Sequence, residues 1–286
     1  MKQLEVGLTT LDFKSVEECI DALDSNELPC FELYIRNDFS ENDLSFLQQI
    51  TQDKGIRITS VSTLAKLAQA EEDIDNHLNL INLSFQVALS LGVNNIGFMY
   101  GGSARLNRFD CQERFVSRIT PLIQRAESSG ITILIENVFS RSPSGDLDSV
   151  EVVAELFDHL KSNFIKLNFD VGNFAIAGEE SFPYAFEYLK EIIGGIHLKD
   201  VSRYRRSRHG YPPNSEVLSA YKRGLFISEP LGEGILNSAG LLSSLTSWKD
   251  CPPIILEFHC SGDARKHLLS SNLNYIHRSV SDVFEN

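Results

Sequence analysis

Four polar residues interrupt runs that are otherwise apolar. Glu136 lies in TILIENV, Asp170 ends IKLNFD, His197 sits inside GIHLKD, and Glu257 sits inside PIILEFH. An unpaired charge among Ile, Leu and Phe is costly, so each needs a partner that offsets the burial. Three carboxylates and one imidazole form a donor set for a single hard or borderline divalent ion. Mn2+ is first in order, with Mg2+, Co2+ and Zn2+ as alternatives. No CxxC and no dense histidine cluster selects zinc. Any one of the four, taken alone, reads equally well as a helix N-cap or an ion-pair partner. Four in four consecutive runs are much harder to explain that way.

The elements that must position these residues are short β-like runs alternating with amphipathic helical segments. Strands are expected at 4–10, 30–35, 57–63, 95–100, 132–138, 165–170, 195–200 and 253–259. Several are almost continuously apolar, as strands of a parallel sheet covered on both faces are. Helical spacing appears at 15–25, 73–92, 111–130, 149–162, 182–192, 238–250 and 264–284. Ser15 and Glu18 have capping-box spacing. Gly92 and Gly130 close two helices in the manner of a C′ glycine, and Pro121 marks a kink or a late start in one of them. Eight strand–helix units with a helix last imply a (β/α)8 TIM barrel rather than an open doubly wound sheet, and LTTLDF after the first strand is no GxGxxG loop. The 286 residues suit one such barrel, read here as a single domain over 1–286. Its active site belongs at the C-terminal ends of the strands, which is where the four polar residues fall.

The net charge of −13 disfavours nucleic acid as a partner. There is no run long enough to span a membrane and no secretory leader, and five scattered cysteines fit reduced thiols, so a cytoplasmic protein is expected. One segment breaks the acidic pattern. Residues 201–234, between the seventh strand and its helix, hold Arg203, Arg205, Arg206, Arg208, Lys222 and Arg223. This insertion is far longer than an ordinary βα loop. It reads as a lid whose arginines take an anionic substrate group, or as a solvated loop or homodimer contact. Other rim residues follow from position. Lys199 shares the inward parity of His197, and His259 that of Glu257. Glu32, ending the second strand, is placed to hydrogen-bond substrate hydroxyls. Glu233 lies on the PLGEG turn, where the glycines permit a tight backbone. His77, His159, His267 and His277 fall in helical segments and read as packing or surface residues.

The succession ILIEN, LNFDVGN, IHLKD, PLGEG and IILEFH resembles the sugar phosphate isomerase/epimerase superfamily, the xylose isomerase-like TIM barrels, over nearly the whole chain. The resemblance implies one divalent metal held by Glu136, Asp170, His197 and Glu257. It implies that Glu136 and Glu257 also move a proton beside a carbonyl, the metal acting as Lewis acid toward the enediolate. It places Arg203, six residues past His197, against the substrate. Two positions depart from it. Asn173 stands where many epimerases carry a substrate-binding His, and Ser142 where ketose epimerases carry a Glu. The expected function is therefore a metal-dependent isomerase or epimerase of a sugar, sugar phosphate or keto-polyol, working on a small carbohydrate-like, anionic or neutral substrate. The alternative is a lyase of the keto-inositol, dehydroshikimate or C-glycoside type. An abasic-site endonuclease of the same fold would need more rim histidines, and an assembly protein would not need an intact ligand set.

Overall fold

The computed structural model describes residues 4–69, 71–142, 145–210 and 215–285. Eight parallel strands close into a barrel: β1 (Val6–Thr9), β2 (Cys30–Tyr34), β3 (Arg57–Lys66), β4 (Asn95–Met99), β5 (Thr132–Glu136), β6 (Ile165–Asp170), β7 (Ile193–Leu198) and β11 (Ile254–Leu256). β11 pairs with β1 and β7, which completes the ring. All eight expected strands are present, several of them shorter than the apolar runs that announce them. Their buried residues, among them Leu8, Phe31, Ile96, Ile133, Leu167, Phe169 and Leu256, build one continuous core with the surrounding helices.

The helices are α1 (Val16–Ser25), α2 (Glu41–Lys54), α3 (Ile74–Leu91), α4 (Arg108–Ser129), α5 (Val150–Leu160), α6 (Val171–Ala177), α7 (Phe186–Leu189), α8 (Arg206–His209), α9 (Ser238–Ser247) and α10 (Gly262–Glu285). Ser15 caps α1 by accepting the Glu18 N–H at 3.3 Å, but the Glu18 carboxylate accepts from Lys14, one residue before the cap. The reciprocal capping box is at Ser40 and Asp43 of α2, a helix not apparent in the sequence. Leu47 is its one fully buried residue; Leu44, Phe46 and Ile50 pack only partly against the core, so its apolar face is thin among polar residues. α4 begins three residues earlier than expected, runs through Pro121 and ends on Gly130 at φ 68°, a left-handed C-cap that favours glycine. The expected helix 182–192 is broken: Phe182 before Pro183 is extended (φ −145°, ψ 130°), and regular helix begins at Phe186.

The described residues of the 201–234 insertion form regular structure. They build an antiparallel sheet of β8 (Asp200–Arg203), β10 (Gly224–Glu229) and β9 (Leu218–Ala220), in that order, with α8 in between. Val201, Leu218, Ala220 and Phe226 pack its inner face onto Phe139, Ala175 and Ile176. Buried Asp200 pins the return to the barrel, accepting backbone N–H bonds from Gly232 at 3.0 Å and from Gly234 and Leu236 at 3.1 Å. A Cβ on Gly234 would lie 2.0 Å from Asp200 Oδ1, so the last glycine of PLGEG is there for close approach. No helix among the described residues is long and apolar enough to cross a membrane.

Candidate metal centre

The four residues singled out in the sequence converge. Glu136 and Asp170 end β5 and β6, His197 is the penultimate residue of β7, and Glu257 follows β11. Asp170 pairs in register with His197, and His197 with Ile255. One ligand atom from each of Glu136, Asp170, His197 and Glu257 lies within 4.8 Å of the other three, and all four residues are buried.

The bonding around them shows which atoms are committed and which are free. Asp170 Oδ1 caps α6 by accepting the Asn173 N–H at 2.7 Å. Asp170 Oδ2 makes no hydrogen bond, although Lys199 Nζ is 2.8 Å away. The N-cap reading of Asp170 accounts for Oδ1 and leaves Oδ2 as the candidate ligand atom. His197 Nε2 lies 2.8 Å from Glu32 Oε2, while Nδ1 has no hydrogen-bond partner and faces Glu136 Oε1 at 3.5 Å and Asp170 Oδ2 at 3.9 Å. Buried polar atoms without partners are rare in folded proteins. Here two of the three among the described residues belong to the proposed ligand set. A divalent cation would satisfy both, so the donor set fits one.

Lys199 and His259 share the same space. Lys199 Nζ bonds Glu257 Oε2 and lies 3.0 Å from His259 Nε2, which is itself 3.2 Å from Glu257 Oε2. Gly172 leaves room for the lysine stem, since a Cβ there would meet Lys199 Cγ at 2.5 Å. Burial alone would disfavour every charge here, and the mutual attractions decide the outcome. Burial pushes Asp170 up to about 7 against the pull of Lys199, while Glu257 is held well below the usual carboxylate range because His259 and Lys199 outweigh its burial. The Asp170 and Glu257 carboxylates likewise overcome burial to raise Lys199, and Glu257 lifts His259 to about 9. His197 is raised well above its ordinary value by Glu32 and Glu136, again against burial.

A cavity of about 1160 Å3 opens over this cluster, lined by Glu136, Asn173, Lys199, Glu257 and His259 and also by Lys66 and Arg141. Asn173 donates from Nδ2 to Glu136 Oε1 at 3.0 Å and so orients a candidate ligand. Glu32 is a correction. It is 1% exposed, takes hydrogen bonds from Ser60 and Ser62, and contacts His197 rather than the cavity. Arg203 is a second. Its guanidinium bonds the Arg223 carbonyl and stacks on Phe226, and with Arg205, Arg208, Arg223 and Glu233 it lines a separate outer groove of about 330 Å3. The insertion reaches the main cavity instead through Ser215 and Glu216, which bridge to Cys260 and His259.

Two participants escaped the sequence reading. The Asn137 side chain clamps both backbone groups of Asp170 at 2.8 Å, locking the ends of β5 and β6 together. Its place beside Glu136 in ILIEN was the available signal. Asp12, just past β1, accepts the N–H groups of Phe258 and His259 at 2.6 and 3.0 Å and fixes the loop that carries Glu257. That loop is strained at His259, where φ is 49°. An acid immediately after the first strand was the signal there.

Comparison with known proteins agrees with this architecture. The chain resembles the structure of an L-ribulose 3-epimerase (TM-score 0.74, 13% identity, covering 99% of this chain and 96% of that one). It resembles the probable 3-DHS dehydratase AsbF of Bacillus anthracis (TM-score 0.72, 20% identity, 96% and 99% covered). It also resembles a xylose isomerase-like TIM barrel protein from Mycobacterium smegmatis in complex with magnesium (TM-score 0.72, 12% identity, 98% of each chain covered). Identities this low speak to the fold alone. No curated protein sequence matches the chain. A family model matches residues 10–278, almost the whole barrel, and on that match the chain belongs to the xylose isomerase-like TIM barrel family.

Proposed function

We propose that this protein is a divalent-metal-dependent isomerase or epimerase of a sugar, sugar phosphate or keto-polyol. The observation that carries the proposal is the pair of buried atoms without a hydrogen bond, Asp170 Oδ2, which has only the Lys199 ammonium beside it, and His197 Nδ1, converging with Glu136 and Glu257 beside a cavity large enough for a small polar substrate. Glu136, Asp170, His197 and Glu257 would hold the ion, which when bound supplies Lewis-acid polarisation of a substrate carbonyl. The chain's own groups handle the proton. Glu257 is kept ionised by Lys199 and His259 and is fit to accept a proton from the carbon beside that carbonyl. Glu136, oriented by Asn173, is the complementary carboxylate for returning a proton. Lys199, charged at neutral pH, is a hydrogen-bond donor toward substrate oxygens in the cavity. The titratable His that many epimerases place three residues after the strand-six Asp is absent, and Asn173 cannot exchange protons in its stead.

A second reading, dehydration, is favoured by His259. Held charged up to about pH 9 and 3.0 Å from Lys199 Nζ, it could protonate a leaving hydroxyl, so that the C–O bond breaks with release of water as the carbon loses its proton. One experiment separates the readings. Metal-loaded protein is incubated in D2O with a panel of ketoses, sugar phosphates and keto-polyols and followed by NMR. Deuterium beside the carbonyl, abolished by chelation, supports isomerase or epimerase chemistry. Water loss with a new conjugated carbonyl supports the lyase. No exchange and no elimination across the panel contradicts both.

A further inference from the structure

Polar residues fill a layer inside the barrel where branched apolar side chains usually pack. Glu32 of β2, Ser60 and Ser62 of β3, Asn168 of β6 and His197 of β7 are all buried there. Ser60 and Ser62 donate to Glu32 Oε1 at 3.2 and 2.6 Å, leaving Oε2 to meet His197 Nε2 at 2.8 Å. The Asn168 amide lies 3.0 Å from the same nitrogen through Nδ2, and once Nε2 carries a hydrogen the amide must turn to present its oxygen there. Two glycines keep the layer open. A Cβ on Gly97 would sit 2.2 Å from Ser62 Oγ, and one on Gly195 would sit 2.6 Å from Asn168 Oδ1. Five strands thus contribute to holding one imidazole.

We propose that Glu32, oriented by Ser60 and Ser62, is a positioning residue that keeps the proton of His197 on Nε2 and thereby makes Nδ1 the metal-ligating atom. The physical reasoning is short. A carboxylate is an acceptor only, so the nitrogen facing it must carry the hydrogen. With Nε2–H donated to Glu32, a neutral ring has its lone pair on Nδ1, the atom without a hydrogen bond in the chain and the one facing Glu136 and Asp170. A carboxylate behind a ligating histidine also makes the ring a stronger donor to the metal. Glu32 thus serves the metal without touching it, from a strand that supplies no ligand.

This inference rests on the metal reading above, and its test separates the two. Zn2+ binding to the full chain is measured by chelator competition for wild type, Glu32→Gln and Ser62→Ala, with circular dichroism as the check on folding. The expected losses in affinity are about 10–100-fold for Glu32→Gln and smaller for Ser62→Ala, with the fold unchanged. Zn2+-loaded, 15N-histidine-labelled wild type should show the His197 proton on Nε2 and a metal-shifted Nδ1. Full Zn2+ affinity in folded Glu32→Gln, or a proton on Nδ1 with Nε2 ligated, overturns the inference and leaves the metal site standing. Wild type that binds no Zn2+ overturns the metal reading itself, and this inference with it. Should Glu32→Gln fail to fold, the Ser62→Ala affinity and the wild-type tautomer decide the matter.

Discussion

Replacing Lys199 with Met removes a cation from the centre of the cluster while keeping most of the buried stem. Its ammonium is 2.8 Å from Asp170 Oδ2, bonds Glu257, and is 2% exposed. Removing one partner of a buried ion pair costs roughly 3–5 kcal/mol, because the charge left behind is uncompensated. Unfolding entropy of about 2.1 cal/mol/K per residue, over a chain of 286 residues, gives about 0.6 kcal/mol/K. The metal-free variant should therefore melt about 5–8 °C below metal-free wild type. A bound divalent ion would supply the missing positive charge to the same carboxylates, so with Mn2+ present the deficit should shrink to less than half. Differential scanning calorimetry of both proteins in chelator and in excess Mn2+ reads this directly. An unchanged melting temperature in chelator would show that Lys199 does not neutralise the cluster. An equal loss with and without Mn2+ would show that the lysine and the ion do not serve the same carboxylates.

Metal affinity should fall as pH drops below about 7, because Asp170, raised to about 7, and His197, raised well above its ordinary value by Glu32 and Glu136 against burial, must release protons to become ligands; titration calorimetry from pH 5 to 8 should show roughly tenfold per pH unit for each displaced proton. In metal-free protein the sign for Asp170 is opposite: its folded value lies above its ordinary 3.8, so its contribution to stability is present below about pH 4 and is lost as pH rises through 7, which thermal melts in chelator should register. Asn137→Ala should lower the melting temperature about equally with and without metal, by about 3–10 °C. It unpairs two buried backbone groups of Asp170 at roughly 1–3 kcal/mol each, and a variant as stable as wild type would refute the clamp.

The barrel and the cluster of Glu136, Asp170, His197 and Glu257 at its rim were legible in the sequence because both follow from local pattern. Apolar runs such as TILIE announce strands on their own, and a carboxylate at the end of such a run has little to do except meet something charged. α2 was hidden because its thin apolar face, Leu44, Phe46, Leu47 and Ile50, is set among polar residues and its N-cap, Ser40, lies in the polar stretch RNDFSEND. The sheet of the insertion was hidden because its strands are three to six residues long and its apolar contacts, Phe139 and Ile176, come from elsewhere in the chain. Glu32 and Arg203 show the limit of reading a site from strand ends. Both sit at plausible positions, but whether a side chain faces the cavity, the barrel interior or an outer groove depends on partners such as Ser62 and Phe226, which are distant or unremarkable in the sequence. Lys199 was placed correctly by parity because two-residue alternation persists just past the end of β7.

The most direct test of the central claim is the number of divalent ions the chain holds. Apo protein is dialysed against Mn2+ and analysed by elemental mass spectrometry beside a Glu136→Gln, Asp170→Asn double variant whose fold is confirmed by circular dichroism. One ion per chain in wild type and well under a tenth of that in the variant is the result this site predicts. No bound ion in wild type, or an undiminished ion in the folded variant, would contradict it.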